Sequence, residues 1–298
     1  MSEKQDFTKL SQVEPVKKYA FVFVCQKGNL EIESLLLAAS LKRFLKCDYE
    51  LIAAIPHPIE IFGKPRTTTI DSLKKMGVRI VDIYNDIVPK KNFEKRHLVA
   101  NKYPCLRIPT DADKLIFLDS DILFYKDFFG DIRFSIPLNL VRVGFLGASM
   151  YSGIYKEIFE SMGIELPSLL IRIEKENKVT YTPPHFNSGF VAIKTDLAPK
   201  LSKYWSDFFK KLEAEKTLEN PLHTDQIALA LAVQKMNVPY EILFLDRSLN
   251  NPSFFHYSLL ERLKNRVKMR ELAKYLAKEL PEIKELVRDH PAWQFLLN

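Results

Sequence analysis

Short runs dense in β-branched and aromatic residues, each followed by a helix-length segment, constrain this chain more than any other feature. YAFVFVCQ (19–26) is apolar on both of its alternating faces, as in a strand covered on both sides. Gly28 and Asn29 break it, and Leu30 to Leu45 reads as a helix whose apolar face includes Leu35, Leu36, Ala39 and Phe44. YELIAAI (49–55) reads as a second strand, Thr68–Met76 as a helix stopped by Gly77, and VRIVDI (78–83) as a third strand. A helix over roughly Phe93–Ile108 then leads into KLIFL (114–118), the fourth strand. Strands and helices alternating at this pitch make a parallel, doubly wound sheet by the right-handed crossover rule. Ligands of such sheets bind outside the carboxyl ends of the strands.

Beyond KLIFL the pattern loosens. Arg133–Leu140 reads as irregular, VGFLGAS (143–149) as a strand and Met150–Met162 as a helix. FNSGFVAIK (186–194) and YEILFL (240–245) read as strands, Leu197–Glu215 and His223–Met236 as helices. From Ser258 the chain reads as helical, with a break at Pro281. The expected organisation is a polar N-terminal segment (1–18), one mixed, mainly parallel α/β domain (19–257) and a helical C-terminal extension (258–298).

The ligand end of the fourth strand carries the chemistry. In KLIFLDSDILFYKD (114–127), Asp119 and Asp121 interrupt an apolar run where only the end of a buried strand is expected. Ionised carboxylates beside a core are costly unless something positive compensates them. Alternation puts both on one side of an extended chain and turns Ser120 the other way. So spaced, they can share one divalent cation of the hard, oxygen-preferring kind, Mg²⁺ or Mn²⁺. A cation held there can bind a diphosphate and stabilise it as a leaving group. The plain alternative is a turn in which one Asp caps the next element and the other faces water. Lys102 and Arg107 are cations that could meet a diphosphate or these carboxylates, or could simply sit on a solvated helix face.

Composition agrees with a partner of negative charge. The net charge is +7 and the pI near 9.1, which suits a nucleotide, a phosphorylated substrate, nucleic acid or a membrane surface. The 47% hydrophobic content supplies a substantial core. Three cysteines without CxxC spacing fit a reducing cytoplasm rather than a disulfide framework. The polar start, MSEKQDFTKLSQVEPVKK, has no apolar h-region, so a cytoplasmic enzyme is expected. Aromatic residues lie in apolar runs rather than interleaved with Lys and Arg, which argues against nucleic acid.

LIFLDSDILFYKD resembles the Asp-x-Asp segment of nucleotide-sugar glycosyltransferases of the GT-A fold, above all the glycogenin-like and lipopolysaccharide-galactosyltransferase-like families. Four further stretches over residues 19–257 are similar in the same order. These are the first strand to Cys25 with LLLAASLKRF, then ANKYPCLR (100–107), HFNSGFVAIK (185–194) and HTDQIALALA (223–232). The resemblance implies a GT-A fold, Mn²⁺ or Mg²⁺, a nucleotide diphosphate sugar donor with UDP as the expected nucleotide, and a retaining hexosyl transfer to a glycan, lipid or protein hydroxyl. It implies donor contacts at Cys25, Lys102, Arg107, Ser120, Ser188 and Gly189, and catalytic roles for Asn187, Asp225 and Gln226. Without it, Asn187, Ser188 and Gly189 read equally as a tight turn, and Thr224-Asp225-Gln226 as an ordinary helix cap. His256 matches by position the family's late histidine, a third metal ligand, but HYSLLERLK lacks the Gly that normally follows; Arg262 or Lys264 could supply the missing charge. A satisfied core histidine is the alternative.

The apolar stripe of the C-terminal helices, continuing through Trp293, Phe295 and Leu296, reads as packing on the domain first and as a peripheral membrane surface second. Two rival functions stand beside the transferase. One is a haloacid-dehalogenase-like phosphatase with Asp119 as nucleophile; the other is a non-catalytic sugar- or nucleotide-binding protein.

Overall fold

The structure is a computed structural model that describes residues 16, 18–86, 95–127, 134, 136–143, 155–167, 171–175, 178–215, 224–245 and 253–298. Its centre is a seven-stranded sheet. The strands are β1 (Lys18–Val24), β2 (Asp48–His57), β3 (Val78–Tyr84), β4 (Lys114–Leu118), β6 (Leu138–Arg142), β9 (Phe186–Lys194) and β10 (Tyr240–Leu245), and two short ladders pair β5 (Ile122–Phe124) with β11 (Phe254–His256) and β7 (Ile171–Lys175) with β8 (Lys178–Thr182). The helices are α1 (Asn29–Phe44), α2 (Ile59–Phe62), α3 (Thr67–Lys75), α4 (Lys102–Cys105), α5 (Tyr155–Ser161), α6 (Ala198–Glu215), α7 (Thr224–Met236), α8 (Leu260–Asn265), α9 (Val267–Lys278) and α10 (Glu282–Asp289).

In the large sheet the order is β10-β6-β9-β4-β1-β2-β3. Strands β4, β1, β2 and β3 run parallel, as do β10 and β6, while β9 lies antiparallel between β4 and β6. The result is a mixed, mainly parallel α/β fold with helices on both faces, compatible with a Rossmann-like GT-A architecture.

Strand β1 explains why the sheet needs two covers. Tyr19, Phe21, Phe23 and Cys25 enter one apolar layer, beneath α1 and α3, and Ala20, Val22 and Val24 enter the other, beneath α6 and α7. Each fully buried Phe of this strand contributes about 2–3 kcal/mol relative to exposure. The C-terminal helices belong to the first layer: Leu263, Leu276, Ile283, Leu286 and Trp293 are buried against α1 and its neighbours. Among the described residues no helix is long and apolar enough to cross a membrane.

Several elements differ from the sequence-based reading. The helix expected over Phe93–Ile108 is a 3₁₀ segment (Lys95–Asn101) followed by the single turn α4. Pro104 is the reason: its ring excludes the carbonyl of a preceding helical turn, so a continuous α-helix cannot pass through it. The end of the stretch Arg133–Leu140, expected to be irregular, belongs to an interior strand, Leu138–Arg142. Val143 lies beyond that strand, and the rest of the expected strand 143–149, with residues 150–154 of the helix expected after it, is outside the described residues.

Candidate metal and donor site

The antiparallel course of β9 brings the two specific motifs face to face. Leu118 pairs with Phe190, so the chain leaving β4 meets the chain entering β9. The Asp119 N–H donates to the Gly189 carbonyl at 2.8 Å, carrying that ladder one residue further. A side chain at Gly189 would collide with the Asp119 carboxylate, and its Cβ would stand 3.0 Å from Asn187 Oδ1. Glycine is required here by close approach.

The short ladder β5–β11 brings the histidine. His256 pairs with Ile122, and the Tyr257 N–H donates to the Asp121 carbonyl at 3.1 Å. His256 Nε2 lies 3.1 Å from Asp121 Oδ1 and 3.9 Å from Asp119 Oδ2. One ligand atom from each of Asp119, Asp121 and His256 falls within a 4.8 Å cluster. Asn187 orients the imidazole: its Oδ1 accepts from the Gly189 N–H at 2.7 Å, which turns its amide NH₂ to His256 Nδ1 at 3.3 Å. Nε2 is the ring nitrogen that faces Asp121 and Asp119.

Lys102 is the positive partner that the paired carboxylates require. Its ammonium donates to Asp119 Oδ2 at 2.9 Å and to Ser188 Oγ at 3.0 Å, and stands 3.4 Å from Asp225 Oδ2. The Ser188 hydroxyl donates onward to Asp225 Oδ2 at 2.5 Å. Burial pulls the lysine down, but Asp119 and Asp225 outweigh it and hold it above the ordinary value. Burial likewise pushes the Asp119 carboxyl up against the pull of Lys102. For Asp121 burial also pushes up, but the His256 contact prevails and holds its carboxyl below the usual value.

The other expected residues divide. Ser120 turns away from the cluster, its hydroxyl donating to the Val24 carbonyl at 2.5 Å. Asp225 and Gln226 open α7, and Gln226 Oε1 is buried with no hydrogen-bond partner among the described residues. Such an orphaned acceptor is uncommon and costly unless a ligand or water fills it. Cys25 does not converge with these groups. Its thiol is wholly buried in the layer beneath α1, and burial pushes it up to about 12. Arg107 is exposed in the turn after α4 and also stands apart. Lys264 pairs instead with Glu261.

Three features escaped the sequence reading. Glu33, on α1, faces the cluster: burial, then the charges of Asp121 and Asp119, push its carboxyl up to about 8. The visible signal is the second of two acids in the apolar stretch LEIESLLLAAS. A buried amide chain joins the loops at the ligand end of the sheet. In it Asn101 Nδ2 donates to Gln26 Oε1 at 3.3 Å, and Asn85 Nδ2 donates to Asn101 Oδ1 at 2.8 Å. Each of these amides follows a strand or precedes Lys102, which is the trace a sequence could offer. Finally, a pocket of about 370 Å³ beside His256 is lined by Phe255, Arg262, Asn265 and Arg266. Arg262 was among the cations weighed; Arg266 was not.

The arrangement can hold a hard divalent cation between two carboxylates and an imidazole, with a pocket lined by two arginines adjoining. Three aspartates, Asp119, Asp121 and Asp225, gather around one lysine, and that excess of acids fits a cation. Residues 21–237 match the sequence family described as a Rhodobacterales glycosyltransferase domain. No curated protein matches the chain.

Proposed function

The chain belongs to the Rhodobacterales glycosyltransferase domain family and is therefore a glycosyltransferase, and from that premise we propose how it works. It takes a sugar from a nucleoside diphosphate donor, UDP-linked by the GT-A resemblance, and transfers it to a hydroxyl acceptor. Asp119, Asp121 and His256 would hold Mn²⁺ or Mg²⁺, which would screen the diphosphate and stabilise it as leaving group. The observation that carries this reading is the convergence of those three side chains beside a pocket containing two arginines. Arg262 and Arg266 grip the diphosphate in place of the Gly- and Lys-containing stretch expected of glycogenin-like enzymes. The membership displaces the phosphatase and non-catalytic readings.

The chain's own residues then have distinct tasks. Lys102 offsets the charge of Asp119 and Asp225, both of which it contacts. Gln226 Oε1 and the Asn187–Ser188 pair accept and donate hydrogen bonds to sugar hydroxyls. The Asp225 Oδ2 oxygen accepts from Ser188 and lies against Lys102, which turns the carboxylate to a bracing role rather than to an incoming hydroxyl. That favours retention: the acceptor oxygen bonds the anomeric carbon on the face the diphosphate leaves, and its proton passes to the departing phosphate oxygen. The catalytic unit in this reading is residues 19–257, with 258–298 completing its core and donor pocket.

The test is calorimetric. Mn²⁺ should bind the full chain, and UDP should bind about tenfold or more tightly in its presence. Asp121→Asn should retain the melting temperature within a few degrees and lose both effects. Equal UDP affinity with and without Mn²⁺ would overturn the metal-bridged reading.

A further inference from the structure

Five of the chain's seven net positive charges fall in twenty residues. From Leu259 to Lys278 there are seven Lys or Arg against two Asp or Glu. The inner side of this stretch is committed to the core through Leu263, Ala273 and Leu276. The outer side is not what packing alone would select. Leu259 and Val267 are each 60% exposed and Tyr275 is 43% exposed. Val267, Lys268, Glu271, Tyr275 and Lys278 are all exposed along one strip of α9. The Arg43 guanidinium sits over the Tyr275 ring at 4.5 Å, which joins the basic end of α1 to the same surface. Along the sequence, the pocket residues Arg262, Asn265 and Arg266 fall between Leu259 and Val267, the two most exposed aliphatic side chains among the described residues.

A lone exposed leucine needs no explanation. Aliphatic tips standing in water within a concentrated basic excess do, because the two features together match one environment. The boundary of an anionic bilayer takes apolar tips into the acyl edge and sets ammonium and guanidinium groups on its phosphates. We propose that the α8–α9 face docks on an anionic lipid surface and holds the donor pocket at headgroup level, within reach of a lipid-linked acceptor. A second copy of the chain is a poorer occupant, since two such faces repel. A nucleic acid would use the charges and leave Leu259 and Val267 idle.

The docking does not depend on the donor chemistry, so it is tested without turnover. The full chain should sediment with phosphatidylglycerol–phosphatidylcholine vesicles at low salt, stay in solution with pure phosphatidylcholine, and be released at high salt. Leu259→Ser/Val267→Ser and Lys268→Gln/Lys278→Gln should each weaken partition about tenfold or more, with unchanged melting. Absence of sedimentation overturns the proposal. So does full vesicle binding by the Leu259/Val267 variant, which would mark a general polyanion surface. A dimer that this variant dissociates would assign the face to a second copy, and overturns it equally.

Discussion

At Gly189 the absence of a side chain is itself a part of the site, since a methyl group there would displace the Asp119 carboxylate. Gly189→Ala should cost about 1–3 kcal/mol of stability and lower Mn²⁺ affinity; unchanged affinity would show that the placement of Asp119 is immaterial. His256→Ala separates the ligand from the core histidine. Loss of Mn²⁺ binding with an unchanged metal-free melting temperature marks a ligand, and the reverse pattern marks a core residue. A residue far from the site predicts a pH effect. Lys114, wholly buried, donates to the carbonyls of Phe134 at 3.1 Å and Ile136 at 2.7 Å and to Asn139 Oδ1, and burial pushes its ammonium down to about 7. The unfolded chain holds that proton up to the ordinary lysine value, so stability should rise with pH from about 7 upward. Measured against Lys114→Met between roughly pH 7 and 9, the wild type should gain on the order of 1–3 kcal/mol, and parallel curves would refute the shift. Asp119 and Asp121 were legible because acids after an apolar run violate the pattern around them. Glu33, Gln26 and Asn85 were not, because a helix face or a strand end tolerates such residues for many reasons, and only the fold says which one applies.

At the scale of elements, the loop between β1 and α1 is held from two sides. The buried amide chain reaches Gln26 from one side. From the other, Glu31 on α1 accepts from the N–H groups of Gly28 at 3.2 Å and Arg66 at 2.7 Å, Arg66 pairs with Asp289, and Trp293 Nε1 donates to Asn29 Oδ1 at 3.2 Å. The C-terminal elements therefore brace a loop at the ligand end as well as closing a layer of core. Trp293→Ala should destabilise the protein by about 3–5 kcal/mol, and truncation after Tyr257 should aggregate by baring the apolar layer over α1. A soluble, monomeric truncation would show that the helices are dispensable to the fold. The longer helices and β1, β2, β3, β4 and β9 were readable from their periodicity. Strands β5 and β11, three residues each, were too short for any periodicity to register. The β7–β8 ladder was passed over because the sequence between its two strands offers none of the usual turn pairs. A proline four residues into ANKYPCLR was the overlooked signal against a long helix before β4.

For the molecule as a whole, the alternation of strands and helices led correctly to a doubly covered, mainly parallel sheet, but it could not show that β9 runs against its neighbours. Strand direction is decided by the connection, and the region before β9 was the least regular part of the sequence. The same pairing sets the order in which the protein can become functional. Leu118 meets Phe190 across 72 residues of chain, and Ile122 meets His256 across 134. Strands β1, β2 and β3, by contrast, pair in parallel through short crossovers and can assemble early, whereas β4 joins β1 from far along the chain, Lys114 beside Tyr19. Non-local ladders carry the larger loop-closure penalty and form late. The cluster of Asp119, Asp121 and His256 is thus closed by the β5–β11 ladder, the most non-local strand pairing among the described residues, after nearly the whole chain has been synthesised. A partly folded chain holds its two aspartates without their histidine, so cation binding by the full cluster would double as a report that folding has finished.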